Sequence, residues 1–333
     1  MVRIGYDELA DEMARVLRAL GFDEDRARRC ARIFADASRD GVHSHGLNRF
    51  PLFVSTIEDG FVRVDGEPEL VVAFGALERW NGHLGAGNLN AAFAMERAIV
   101  LARDHGIGCV ALQNTNHWMR GGTYGWQAAD AGMIGLCWSN TKPNLPPWGA
   151  RDPRLGNNPL VVAVPRTGGH VVLDMAISQF SYGQLQSHQR AGKPLPVDGG
   201  YDRHGELTRD PLEIEVTQRP LPIGYWKGSG LSLVLDLMGA ILTGGKATHQ
   251  ITPEESALSQ VFLAIDPAPL RPHGADVAIV DDILAYVHGA TPVDGDAHVY
   301  YPGERSLQTR LESVASGVSV DRDTWERVRA LHT

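Results

Sequence analysis

The sequence predicts a mixed α/β fold in which a largely antiparallel sheet lies between helical N- and C-terminal segments. Apolar residues recur at helical spacing over the first 60 positions, and short β-rich runs then alternate with longer helical patterns. Two of those runs are separated by little more than a Gly-Gly turn, which only antiparallel neighbours allow. With 333 residues, 43% of them hydrophobic and 21% charged, the chain is long enough for about two domains and a sizeable core.

Leu9, Met13, Val16, Leu17 and Leu20 stop at Gly21, which predicts a first helix ending in a left-handed glycine cap. Asp23 can N-cap a second helix that turns Ala27, Cys30, Ile33, Phe34 and Ala37 inward and ends before Gly41. A third is expected from near Leu47, since Pro51 is tolerated in a first turn and Leu52, Phe53, Thr56 and Ile57 share a face until Gly60. The loop 41–46 joins them. Strands are expected at 70–74, 109–113, 133–138, 160–165, 171–174 and 260–265, and helices at 89–104, 124–131, 181–191 and 229–242. Residues 193–202, with two prolines and two glycines, read as the clearest long loop. Helical patterns return around 281–287 and 324–331.

Charge narrows the function. With 31 Lys+Arg against 40 Asp+Glu the net charge is −9, which argues against binding nucleic-acid phosphates or anionic lipid and favours a small polar substrate. The first eight residues lack the apolar core of a secretory signal, and the apolar stretch 231–242 is broken by Asp236 and too short to span a bilayer. A cytoplasmic protein is expected. Cys30, Cys109 and Cys137 are odd in number and widely spaced, which fits buried reduced thiols.

A dinucleotide fingerprint must follow a strand and open a helix. Gly106-Ile107-Gly108 does the reverse and is discarded. Gly228-Ser229-Gly230 does open a helix beside Lys227, so it reads either as an anion site or as glycines for close packing. The densest chemistry lies at Asp40-Gly41-Val42-His43-Ser44-His45-Gly46-Leu47-Asn48-Arg49-Phe50-Pro51. Three readings compete there: a substrate carboxylate on Arg49 with a histidine exchanging a proton, helix capping by Ser44, or a His-x-His metal pair without recognisable further ligands. Asn114 to Gly122, including His117, follows a strand and is well placed to line a cleft, although a satisfied loop histidine fits equally. Asp174 ends an apolar run and needs a partner, as a relay or as a cap. The tryptophans at 80, 118, 126, 138, 148 and 226 read as core or pocket wall.

The block from Asp40 to Pro51 closely resembles the malate/L-lactate dehydrogenase family that is unrelated to the Rossmann-fold lactate dehydrogenases. Asp104 to Gly108, Asn116 to Gly122, Tyr124 to Ala129, Pro146 to Gly149, Leu195 to Gly200 and Gly224 to Gly230 extend the likeness over nearly the whole chain, towards the family branch that reduces 2,3-diketo-L-gulonate. The resemblance implies a homodimeric reductase of a 2-oxo or 2,3-diketo sugar acid on a largely antiparallel, non-Rossmann sheet, using NADH, with NADPH as the alternative. It implies a helical domain of residues 1–65 and 275–333 around an α/β region, 66–274, that binds cofactor and substrate. Carried over, His45 matches the proton donor, Ser44 and Asp174 its supporting relay, and Arg49 a carboxylate contact. His117 falls where a sibling branch places its proton acceptor. Cofactor contacts map to His170, Val171, Val172, Leu173, Asp174, Met175 and Ala176, to Trp226 and Lys227, and to Gly303, Glu304 and Arg305. Many members have His where Trp226 stands, though the diketogulonate branch shares the Trp. The stretch 139–144 departs from that branch and, lying just before Pro146-Pro147-Trp148, is expected to line the substrate pocket, with Asn140 as a candidate substrate contact. No residue is assigned to a metal. Sibling specificities (malate, lactate, ureidoglycolate or a cyclic imino acid) and a non-catalytic sugar-acid binding protein are the alternatives.

Overall fold

The computed structural model describes residues 1–270, 276–293, 295 and 297–332. A short strand β1 (Val2–Ile4) leads into α1 (Tyr6–Ala19) and α2 (Glu24–Arg39). Asp23 caps α2 as expected, its carboxylate accepting the Arg26 N–H at 2.9 Å. The third helix, α3 (Phe50–Glu58), starts later than the sequence predicts, because the chain first makes two 3₁₀ turns at His43–His45 and Leu47–Arg49. Gly46 is the reason: a Cβ there would stand 2.2 Å from Ser38 Oγ. That oxygen accepts the Leu47 N–H at 2.8 Å and folds the turn back onto α2.

Next come β2 (Glu69–Phe74), β3 (Leu77–Asn81), α4 (Gly87–His105), β4 (Ile107–Thr115), α5 (Gly122–Asp130), β5 (Ile134–Ser139), β6 (Leu160–Val164) and β7 (Val171–Met175). Beyond them lie α6 (Tyr182–Arg190), a hairpin of β8 (Gly200–Tyr201) and β9 (Leu207–Thr208), α7 (Pro211–Thr217), α8 (Trp226–Thr243) and β10 (Leu258–Ile265). The chain then forms α9 (Asp276–His288), α10 (Glu304–Ser316), β11 (Val318–Val320) and α11 (Arg322–Arg329).

Seven strands form one sheet in the order β2-β3-β4-β10-β5-β6-β7. All its pairings are antiparallel except β3 with β4, which needs the crossover that α4 supplies. The β6–β7 hairpin forms where the Gly-Gly turn predicts it, with Val162 opposite Leu173. Strand β10 lies between β4 and β5 and is buried from Leu258 to Phe262, its two polar residues Ser259 and Gln260 included.

The helices α1 to α3 share a core with Val318, Val320, Trp325 and Val328 from β11 and α11, while a second core joins α4 and α5 to the sheet. Strand β1 pairs with β11. The domain boundary expected at 274/275 lies outside the described residues. The expected long loop at 193–202 ends in β8, which pairs Gly200 with Thr208. No described helix is long and apolar enough to cross a membrane.

Candidate active site

Ser38, Gly46 and the two 3₁₀ turns fix a loop that presents Ser44, His45 and Arg49. Ser44 Oγ lies 2.9 Å from His45 Nδ1, so the hydroxyl partners the imidazole and does not cap α3. His117 arrives from the end of β4 in a turn fixed by Asn116, whose amide donates to Phe61, Leu84 and Gly85 carbonyls. The Met119 N–H donates to His117 Nδ1 at 3.0 Å, which leaves Nε2 as the protonated nitrogen of the neutral ring. The His45 and His117 rings stack at 5.9 Å between centroids and 15° between planes.

Of two cavities, one has His117 in its wall and the other has neither ring of the pair. The smaller, about 310 Å³, is lined by Arg49 and His117 with Ser55, Thr56, Lys142 and Glu255. The larger, about 590 Å³, is lined by Arg120, Trp126, the β7 segment Val172, Leu173 and Asp174, and Gly303 and Arg305. Burial, then the charges of Arg49 and Arg120, lower the His45 imidazole to about 4. His117 is pushed well below its ordinary value by burial, Arg49 and His45. His45 therefore answers electrically to a guanidinium on each cavity, Arg49 on one and Arg120 on the other.

Arg120 is held in place from behind. Asp40, buried at the end of α2, accepts from Arg120 at 2.6 Å, from Arg310 of α10 at 2.6 and 2.8 Å, and from Arg39 at 2.9 Å. Burial alone would raise the Asp40 carboxyl, but the Arg310 bonds and the charges of Arg120, Arg310 and Arg39 outweigh it and hold it low. Asp174 has its side chain turned to open space, yet protein packs closely enough around the carboxyl to raise its pKa against Arg120 and the Gly122 N–H, which donates to it at 2.8 Å. Among the described residues no hydrogen bond joins Asp174 to Ser44 or His45.

A family model described as malate/L-lactate dehydrogenase matches residues 4–329. The chain belongs to the malate/L-lactate dehydrogenase family. It is an oxidoreductase by that membership. A protein named 2,3-diketo-L-gulonate reductase from Pasteurella multocida (strain Pm70) is 45% identical, covering 99% of this chain and all of that one, and a Salmonella typhi protein of the same name is 44% identical at the same coverage. Among solved structures, sulfolactate dehydrogenase from Methanocaldococcus jannaschii superposes with a TM-score of 0.90 at 27% identity, over 98% of this chain and 95% of that chain. Delta1-piperideine-2-carboxylate reductase from Pseudomonas syringae pvar. tomato does so at 0.88 and 29%, over 99% and 100%.

Within this malate/L-lactate dehydrogenase fold the expected cofactor residues divide. Val172, Leu173, Asp174, Gly303 and Arg305 line the larger cavity together. Gly303 sits at φ +95°, and a Cβ there would come within 3.0 Å of Val172 N, so the 302–303 turn lies directly along β7. His170 holds the β6–β7 turn instead, with Nδ1 accepting from Arg166 N–H at 3.0 Å and Nε2 2.9 Å from Asp130. Trp226 and Lys227 open α8 on the exposed surface, outside both cavity walls. At Gly228 the packing reading gains support, since a Cβ would stand 2.3 Å from Ile223 O, and Ser229 Oγ accepts the Trp148 N–H.

Asn140 is 1% exposed and lines neither cavity. Its amide donates to Asp236 and Lys246, and its oxygen accepts the Ser259 N–H, so the side chain pins α8 to β10. Arg120, Asp40 and Glu255 were given no role by the sequence reading, whereas Lys142 belongs to the stretch 139–144 expected at the substrate pocket and does line the smaller cavity. The first two lie inside motifs it quotes, but their pairing with Arg310 spans a separation no local pattern reveals.

Proposed function

We propose that this chain is an NADH-dependent reductase of a 2,3-diketo sugar acid, with the acid in the smaller cavity and the cofactor in the larger. The observation that carries the reading is the His45–His117 stack, with His117 and Arg49 in the wall of one cavity and Arg120, whose charge also acts on His45, in the wall of the other. The larger cavity has the size of a small-molecule site. It also fits a nicotinamide dinucleotide in its chemistry: Arg305 and Arg120 offer positive charge, and Arg120 and Trp126 each keep a buried N–H with no partner among the described residues. Hydride is what such a cofactor supplies when bound.

The chain's own residues do the rest. Arg49 holds the substrate carboxylate. His45, oriented through Nδ1 by Ser44, donates the proton to the carbonyl oxygen as it becomes a hydroxyl. In the free protein this imidazole is held down to about 4, chiefly by burial, and a carboxylate seated on Arg49 offsets one of the lesser charges that depress it and so raises its basicity. The two stretches of core, one uniting the N-terminal helices with β11 and α11 and one around the sheet, support a helical domain of 1–65 and 275–333 beside an α/β region. Exposed Leu233, Val234, Leu237, Met238 and Ile241 along α8 support a homodimer. The free cysteines fit a cytoplasmic protein, with burial pushing Cys30 up to about 12 and Cys109 up to about 11.

The test is oxidation of NADH, and separately of NADPH, across a panel of 2,3-diketo-L-gulonate, pyruvate, oxaloacetate and a cyclic imino acid. The highest kcat/KM is expected for the diketo sugar acid with NADH. Turnover of none of them, with acid binding retained, would overturn the enzyme reading in favour of a binding protein.

A further inference from the structure

We propose that His288, His298 and Glu304 form a binding site for a divalent cation of the zinc class at the rim of the larger cavity. The three residues come from different segments: the last turn of α9, the chain that follows it, and the first residue of α10. Glu304 Oε2 lies 3.1 Å from His288 Nε2, and Oε1 lies 3.3 Å from His298 Nε2. All three ligand atoms fall within 4.8 Å of one another. Tetrahedral zinc with bonds of about 2.0–2.1 Å sets its ligand atoms roughly 3.3–3.4 Å apart, so a small closing movement of two side chains admits an ion.

The donor set selects the metal. Two imidazoles and one carboxylate suit zinc, cobalt or nickel better than magnesium or calcium, which prefer oxygen alone. Glu304 is oriented for the task by the Tyr301 N–H, which donates to Oε2 at 3.1 Å, and such outer contacts fix a ligand's direction. Ions can reach the group, since the His298 side chain is 49% exposed and that of His288 30%. Three protein ligands leave a fourth position, and His298 lines the larger cavity with Gly303 and Arg305. The ion therefore ties α9 to the start of α10 beside that cavity. The spacing His288-x9-His298-x5-Glu304 matches no compact sequence pattern, which is why the fold was needed to see it.

The experiment uses tag-free, metal-stripped protein titrated with Zn²⁺ by calorimetry and with Co²⁺ by its visible d–d absorption. One equivalent is expected, with the intense Co²⁺ bands of a four-coordinate site. His288→Gln and His298→Gln should each weaken binding by at least about tenfold. His45→Gln should leave it unchanged, which separates this site from the His-x-His pair. Zn²⁺ should raise the melting temperature of the wild type and not of the double variant His288→Gln/His298→Gln. Failure to bind either ion at millimolar concentration would overturn the proposal. So would stoichiometric binding that survives in the double variant, or that disappears with His45→Gln.

Discussion

His45 is a weak base held beside two guanidinium groups, and its behaviour should show this in two ways. A positioned general acid contributes about 10²–10⁴ in rate, so His45→Gln should lower kcat at least about a hundredfold while NADH binding, read by fluorescence titration, stays intact. His43→Gln should cost far less, since that imidazole is given no proton to transfer. If His117→Gln is the crippling change and His45→Gln mild, the roles within the stacked pair are exchanged. The pH profile gives the second check. If His45 is the proposed proton donor, reduction needs its protonated form, and the free protein holds its pKa near 4, so kcat/KM for reduction should fall about tenfold per unit as pH rises through neutrality. The profile of kcat should level off to higher pH, because bound acid relieves the Arg49 charge. A kcat/KM that rises with pH would refute the assignment. Neither the stacking nor the depressed basicity is legible in one dimension, because His45 and His117 belong to motifs that only the meeting of α2, β4 and α4 brings together.

At the scale of elements, the helices with long apolar stripes and the β6–β7 hairpin were legible because period and turn chemistry agree there. The missed elements had no such agreement. Strands β1 and β11 are three residues each, too short to show a period, and exist because they pair with each other. Strand β3, Leu77-Glu78-Arg79-Trp80-Asn81, has a charged centre, and the buried Glu78 is partnered by Arg97 of α4 at 2.7 Å and by Trp80 Nε1 at 2.9 Å. Helix α10 was missed although Leu307, Leu311 and Val314 keep helical spacing, because two of the three face outward. Its contribution is Arg310. Asp40→Asn should strip the charge that neutralises Arg120 and Arg310, and breaking a buried pair costs about 3–5 kcal/mol, measurable by urea unfolding. Asp40 is held low, so its stabilisation is present above the unfolded carboxyl value near 3.9 and is lost as pH falls through the lower folded one. The difference between wild type and Asp40→Asn should therefore shrink on acidification. An equal difference at pH 7 and pH 2 would argue that packing, not charge, is at stake.

For the whole molecule, the apolar face of α8 is the feature an isolated chain leaves unexplained. Leu237 is 52% exposed and Ile241 72%, whereas Leu235 of the same helix is buried and its carbonyl accepts from Trp138 Nε1. A C₂ dimer burying this face should sediment near twice 36.2 kDa, about 72 kDa, and Ile241→Asp should shift it towards half that mass. A fully active wild-type monomer would refute the dimer. The clamp at Asp40 has a bearing on how the protein is born. Asp40 and Arg310 are 270 residues apart in the chain. At a translation rate of about 5–20 residues per second, roughly 15–50 s pass on the ribosome before the carboxylate meets its second guanidinium. During that interval α2 ends in a carboxylate short of one of its partners, and the residues that close the larger cavity from α10 do not yet exist. The wall of the larger cavity is thus among the last parts of the molecule to be made.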